Sequence, residues 1–384
     1  MRLTILLIGC LLSGFLFTPG KGGMSSSPQR PWPGSIETRE GVVHVLNPQE
    51  GLWGGLTGEP EVERVWSVGG AGGRDEEVFS FIQDITTDSY GNVYACDSRE
   101  DRVAVFDRDG RLVRSIGRTG AGPGDLARPR VIEVDDRGRL HVLEWTNLRV
   151  SLFSPDGVFT GSFRIDGIPS DAMGFHGDEV LLMLRSDEHP EQLVVTVDRE
   201  GRRTGGFGER PRLLDRAYDG RPWHTGAGLT MRPDGGQVLF LSWPYRIEFR
   251  RGPELERVVE RQAEDFPPPE FVESDFRDLE GRVERMGTVK TRSTVADVFP
   301  LPEGGFTVLV MDYGDDWREN DIEQAFVTWL DLFDAEGRFL RRFTWDWVGR
   351  GYLRHVDREG FFYSASADRG YIPGVSKWRV RFDR

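Results

Sequence analysis

The sequence predicts an all-β fold, a six-bladed β-propeller built from four-stranded blades. Three observations predict it. Two stretches, from Ile82 and from Pro129, align without gaps: Asp88, Gly91, Arg102, Phe106, Asp109 and Gly110 recur at a fixed offset as Asp135, Gly138, Arg149, Phe153, Asp156 and Gly157. Each stretch reads as strand, turn, strand, loop, strand, turn, strand, and a four-stranded unit repeating every ~40–50 residues is the mark of a propeller blade. The composition agrees, with 48 Gly and 22 Pro beside 38% hydrophobic and 11% aromatic residues among 384, which suits many short strands joined by tight turns.

The N-terminus reads as an export signal. Met1-Arg2 gives one positive charge, and Leu3 to Phe17 is an apolar run too short for a membrane helix. Residues 1–20 are assigned to this signal and 21–61 to a polar linker carrying an extra strand in "GVVHVLNP", Gly41 to Pro48, which would alternatively pack against the closing blade. Leu7-Ile8-Gly9-Cys10 has the look of a lipoprotein box, so any membrane association is expected through a signal or lipid anchor. With the signal removed, Cys96 is the one remaining cysteine, which excludes an intramolecular disulfide and a cysteine metal site.

Residues 62–384 are assigned to the propeller. The first blade runs from Ile82, with turns at "DSYG" and "DRDG", and the second from Pro129, with turns at "DDRG" and "SPDG". In such turns Gly takes a positive φ and Asp bonds back to the turn backbone. "GAGPGDLARP", Gly120 to Pro129, is a blade-to-blade link; a phosphate-binding loop would need a following helix, and a strand follows instead. Weaker copies cover roughly Asp171 to Gly208, Thr225 to Glu260 and Thr294 to Thr344. A sixth copy from Tyr352 to "KWRVRF" has three strands, and Val62 to Gly70 supplies the fourth, so both ends of the domain share the closing blade.

The stretch "GAGPGDLARPRVIEVDDRGRLHVLEWTNLRVSLFSPDG" resembles an NHL repeat, and the chain resembles the exported bacterial six-bladed β-propellers of that type. The resemblance is strongest over Ile82 to Phe163. It implies a periplasmic or secreted location. It also implies that Asp97 with Arg102, and Glu144 with Arg149, bridge strands across a hairpin.

Alternating strand directions sort the loops onto two faces, the tight turns on one and the longer loops on the other. Long loops on a rigid frame are where binding concentrates. The long-loop face carries the candidate recognition residues Trp145, Arg185, Trp243, Tyr245, Tyr313, Trp317 and Tyr371. Aromatic rings with arginine suit a protein, peptide or glycan partner, although rings in these positions also serve to pack blade against blade. The formal net charge of −14 excludes a nucleic-acid partner.

The expected function is therefore a non-catalytic binding propeller, without a cofactor, working at the long-loop face and channel mouth. The alternative is a lyase or lactonase using a divalent metal in the central channel, as some related propellers do. His189, His224 and His355 form the one trio of histidines to consider for it, without H-x-H or H-E-x-x-H spacing. His141 falls in the slot of Tyr94 and reads as a core ring. Asp315, Asp316, Glu319 and Asp321 lack the ligand pattern of a calcium loop and read as a solvated acidic loop. Apolar residues at Phe271, Val272, Phe276, Leu279 and Val283 predict an amphipathic helix within Pro267 to Met286, placed to cap the channel.

Overall fold

The computed structural model describes residues 32–54, 58–70, 78–185, 188–210, 226–277, 283–315, 326–366 and 373–382; for Arg185, 271–277 and 283–289 it describes the backbone alone. Six antiparallel meanders form the six blades. Their first strands are Ile82–Thr87, Pro129–Val134, Ile168–His176, Ala227–Met231, Ser293–Pro300 and Tyr352–Val356. Each of these touches the first strand of the next blade, and the sixth touches the first, so the six surround a common axis.

The circle is closed by hydrogen bonds. The last strand, Gly374–Arg381, is antiparallel to Glu61–Gly69, in a register running from Gly374 opposite Gly69 to Arg381 opposite Glu61. Its other edge pairs with Phe361–Ala365 of the same blade. The ends of the domain thereby satisfy each other's strand edges.

The tight-turn face repeats one device. Asp88, Asp107, Asp135, Asp198, Asp334 and Asp357 each accept, on Oδ1, the backbone N–H groups two and four residues on. The glycine three residues on takes a positive φ, as at Gly91 (82°) and Gly138 (74°), which a side chain there would oppose. In three blades Oδ2 of the turn aspartate also meets a ring from the second strand: Tyr94 at 3.3 Å, His141 at 3.2 Å and Tyr363 at 2.8 Å. His141 is a core ring, edge-on to Phe175 at 4.7 Å, and burial lowers its pKa.

The second strands are apolar on both faces, as in Val93–Asp97 and Gln237–Leu241, because each blade is sandwiched between two others. In blades one and two the second strand finishes, at the long-loop end, in a buried acid. Glu144, 0% exposed, accepts from Ser151 Oγ at 2.6 Å, Asn147 Nδ2 at 2.6 Å, Arg149 Nε at 2.7 Å and Ala127 N at 3.0 Å. In blade one Asp97 accepts from Phe81 N at 2.9 Å, with Arg102 at 3.6 Å.

One alternative left open by the sequence is resolved and one expectation is overturned. Val42–Asn47 does add a strand, paired with Ser35–Arg39, but it lies parallel to Glu254–Arg261 of blade four, not on the closing blade. Asn47, 1% exposed, fixes it there by accepting from Phe339 N at 2.6 Å and donating to the Gly337 carbonyl at 2.9 Å, both in blade five. The predicted helix within Pro267 to Met286 is instead a two-stranded hairpin, Glu270–Arg277 with Val283–Lys290. Phe271, Val272, Val283 and Val289 favour extended backbone, and each strand is too short to sustain helical periodicity before the intervening residues 278–282.

Removing Gly374–Arg384 should abolish the cooperative thermal transition, since it leaves Glu61–Gly69 unpaired and bares one edge of Phe361–Ala365; a truncated chain that still melts cooperatively would refute closure as the organising contact. Arg149→Met strands the charge of Glu144 and should cost about 3–5 kcal/mol in urea unfolding.

Candidate functional site

The inner strands carry more polar side chains than a close-packed ring needs. Blade one contributes Asp84, Thr86 and Thr87, blade two Arg130 and Glu133, blade three Asp171, blade five Asp297, and blade six Arg354 with His355. Backbone geometry places several of them. The register of the inner strand shifts between Ile82 and Asp84, Pro129 and Val131, Val295 and Asp297, and Leu353 and His355. Each shift leaves one residue without a partner on the second strand, and such bulges re-aim side chains. Arg130 and Arg354 occupy bulge positions; Asp84, Asp297 and His355 directly follow one.

These side chains tie neighbouring blades together. Asp84 Oδ2 accepts from Ile132 N of blade two at 2.9 Å, and Oδ1 from its own neighbour Ile85 N at 2.8 Å. Thr86 Oγ1 donates to Glu133 Oε2 at 3.2 Å, and Thr87 Oγ1 lies 2.9 Å from His355 Nε2. Arg130 pairs with Asp171 of blade three, one contact being 2.8 Å, and its guanidinium covers the Trp145 ring at 4.8 Å.

The electrostatics are unusual for carboxyl groups. Burial raises Asp84 to about 7, against the lowering effects of the Ile132 N–H and Arg354. Burial raises Glu133 to about 8, with the charge of Asp84 adding to it. Burial raises Asp297 to about 7, although the Val298 N–H and Arg354 pull it down. Burial lowers His355 to about 4. At mildly acid pH the bore therefore holds neutral carboxyl groups, a neutral imidazole and a permanently charged Arg354.

On the long-loop face, where the long loop of blade five meets the link to blade six, four partly buried rings form a tier. Phe326 stacks on Trp347 with centroids 4.9 Å apart and 15° between planes, Trp347 stacks on Tyr352 at 5.0 Å and 19°, and Tyr313 leans on Phe326 at 5.8 Å. The indole N–H of Trp347 donates to the Phe326 carbonyl at 3.0 Å. Trp347 opens a four-residue helix, α1 (Trp347–Arg350), in the blade five-to-six link. Tyr313 and Phe326 flank the long loop of blade five, so loop and link are brought together. Burial and the neighbouring Tyr352 both raise the Tyr313 phenol pKa.

The sequence-predicted residues divide accordingly. Tyr313 belongs to the tier. Trp145 is half-buried beside Arg130. Trp243 is half-buried against the core between blades four and five. Tyr245 is 2% exposed; its ring is edge-on to Phe266 at 4.9 Å and its hydroxyl donates to Asp331 at 3.0 Å, so it packs blade against blade. Arg185 ends a second strand, and its side chain, like Trp317, Tyr371 and His224, lies outside the described residues. His189 sits on the rim 3.4 Å from Glu191, whereas His355 is in the bore. Among the described residues no group of three or more His, Cys, Asp and Glu is arranged to hold a metal ion. Asp315 is paired with Arg292 at 2.8 Å; Asp316, Glu319 and Asp321 lie outside the described residues. Sequence reasoning missed Asp84, Glu133, Asp297 and Arg354; the signal for them was a charged residue interrupting an apolar inner strand, as in "IQDITT" and "VADVFP".

Because burial lifts the folded-state values of Asp84, Glu133 and Asp297 above the ordinary carboxyl range near 4, their stabilising contribution is complete below that range. It is lost as pH rises through about 7 to 8. The urea midpoint of the Asp84→Asn, Glu133→Gln double variant should therefore fall less between pH 5 and pH 9 than that of the parent chain; parallel curves would show that these groups ionise normally.

The comparisons with known proteins agree with the architecture. The DUF5128 family model, described as a 6-bladed beta-propeller, matches residues 74–215. No curated protein matches the chain. Among solved structures, a candidate exported protein from Bacteroides fragilis superposes with a TM-score of 0.59 at 11% identity, covering 88% of this chain and 100% of the other. A DUF4221 family member from Bacteroides vulgatus gives 0.57 at 9% identity, covering 85% and 99%. At these identities the likeness concerns the fold, and the chain is a six-bladed β-propeller with four-stranded blades.

Proposed function

We propose that this chain is an exported, non-catalytic binding propeller whose ligand enters at the long-loop mouth of the central channel. The observation that carries the reading is the tier of Tyr313, Phe326, Trp347 and Tyr352, where a long loop and a blade link converge at the end of an inner strand. Stacked, partly exposed rings supply rigid contact area at low entropic cost. Export is supported by the apolar run at Leu3 to Phe17 and by likeness to a candidate exported protein.

In a glycan and peptide array probed with the mature chain, Trp347→Ala should weaken any bound ligand by about tenfold or more, in line with the loss of a well-packed aromatic contact. A ligand that binds Trp347→Ala and the parent chain equally would place the site elsewhere. Metal analysis before and after chelation separates this reading from the metal-dependent lyase or lactonase: a stoichiometric metal whose removal abolishes turnover would replace it.

A further inference from the structure

Many arginines among the described residues are paired with carboxylates. Arg102, Arg130, Arg149, Arg246, Arg261 and Arg342 each reach a carboxylate on a neighbouring strand or link. Arg354 differs. It makes no hydrogen bond or ion pair with any described residue, and its Nε is enclosed without a partner. Its one recorded contact is with the Tyr352 ring, 5.9 Å from the guanidinium. A guanidinium is charged at every accessible pH and carries five donors; of these, Nε of Arg354 is enclosed without a partner.

Two carboxyl groups stand near enough to feel this charge, Asp84 on the inner strand of blade one and Asp297 on that of blade five. Neither closes onto it. Asp84 is committed to the N–H groups of Ile85 and Ile132, and Asp297 to that of Val298. Arg354 therefore lies between the two inner strands that flank its own, just inside the mouth, with the aromatic tier ending two residues away at Tyr352.

We propose that Arg354 receives the carboxylate of a ligand whose aromatic or apolar part rests on the Trp347–Tyr352 tier, an assignment that builds on the binding role given above to the channel mouth. A carboxylate matches the guanidinium fork, and a planar apolar group beside it matches the rings. Asp84 and Asp297 enter as protonated neighbours in mildly acid solution and as competitors for Arg354 once ionised. Asp171 adds negative charge beside Asp84, Asp84 in turn raises Glu133, and His355 stays neutral throughout.

The test uses the mature chain and two acids, phenylacetate and acetyl-glycyl-phenylalanine, each against its amide, followed by saturation-transfer NMR at pH 6. The first stands for a free small acid and the second for a peptide C-terminus. At least one acid should bind about tenfold more tightly than its amide. Arg354→Gln should remove that preference without moving the thermal midpoint, and Arg354→Lys should restore part of it. Raising the pH to 8.5 should weaken the acid several-fold, and less so in Asp84→Asn. Amides that match their acids, a preference that survives Arg354→Gln, or no acid binding at millimolar concentration would overturn the assignment. The two readings fail separately: acid and amide binding that is equal but lost in Trp347→Ala keeps the tier and removes the role of Arg354, whereas Arg354-dependent acid binding untouched by Trp347→Ala does the reverse.

Discussion

The structure depends on one antiparallel pairing, that of Glu61–Gly69 with Gly374–Arg381. Six twisted sheets arranged about an axis have no intrinsic reason to stop at a circle, and an unclosed row would expose apolar faces at both ends. Shared strands in the last blade convert the row into a ring and bury both faces of every sheet. The circle in turn fixes how close the inner strands come, and so which side chains meet in the bore. A contact such as Thr86 with Glu133, or Thr87 with His355, joins residues of different blades and exists because the ring is shut.

Charge is handled differently at different radii. Between blades four and five, Asp331 is 0% exposed and receives Arg342, Arg261 and the Tyr245 hydroxyl, while Arg342 also reaches Asp265. The two cations hold Asp331 below the usual carboxylate range despite burial. Such a network costs desolvation and returns specificity of docking, since removing one member strands another. In the bore Asp84, Glu133 and Asp297 have backbone donors and a hydroxyl in place of close cations, and burial holds them protonated to near neutrality. The same residue type is thus a fixed charge at the seam and a titrating group on the axis.

The architecture was legible in the sequence because its determinants are local. An aspartate with a glycine three residues on writes the same turn six times, and the alternation of turns and short apolar strands repeats with it. The hairpin at Glu270–Arg277 and Val283–Lys290 was misread because five apolar residues fell at helical spacing by coincidence, in strands whose pairing is with each other. The candidate site was only partly legible. Tyr313 was found because it borders a long loop, but Tyr245, equally close to a loop, turns inward to Asp331. Asp84, Asp297 and Arg354 become a group through inner-strand bulges, which no linear pattern shows.

A paired arginine and a bare one have different uses on a frame this rigid. Arg149 fills its donors with Glu144 and with carbonyls of the preceding link, and so fastens a loop. Arg354 is held in place by the strand that carries it and by the Tyr352 ring, with its donors not spent on the fold. Interactions made in advance with backbone N–H groups keep Asp84 and Asp297 from collapsing onto it. A site organised in this way loses little conformational freedom when an anion arrives, because the neighbours that would otherwise compete for the guanidinium are already satisfied. In mildly acid solution the acids around Arg354 are neutral and tied to backbone N–H groups, which leaves its charge available to a ligand.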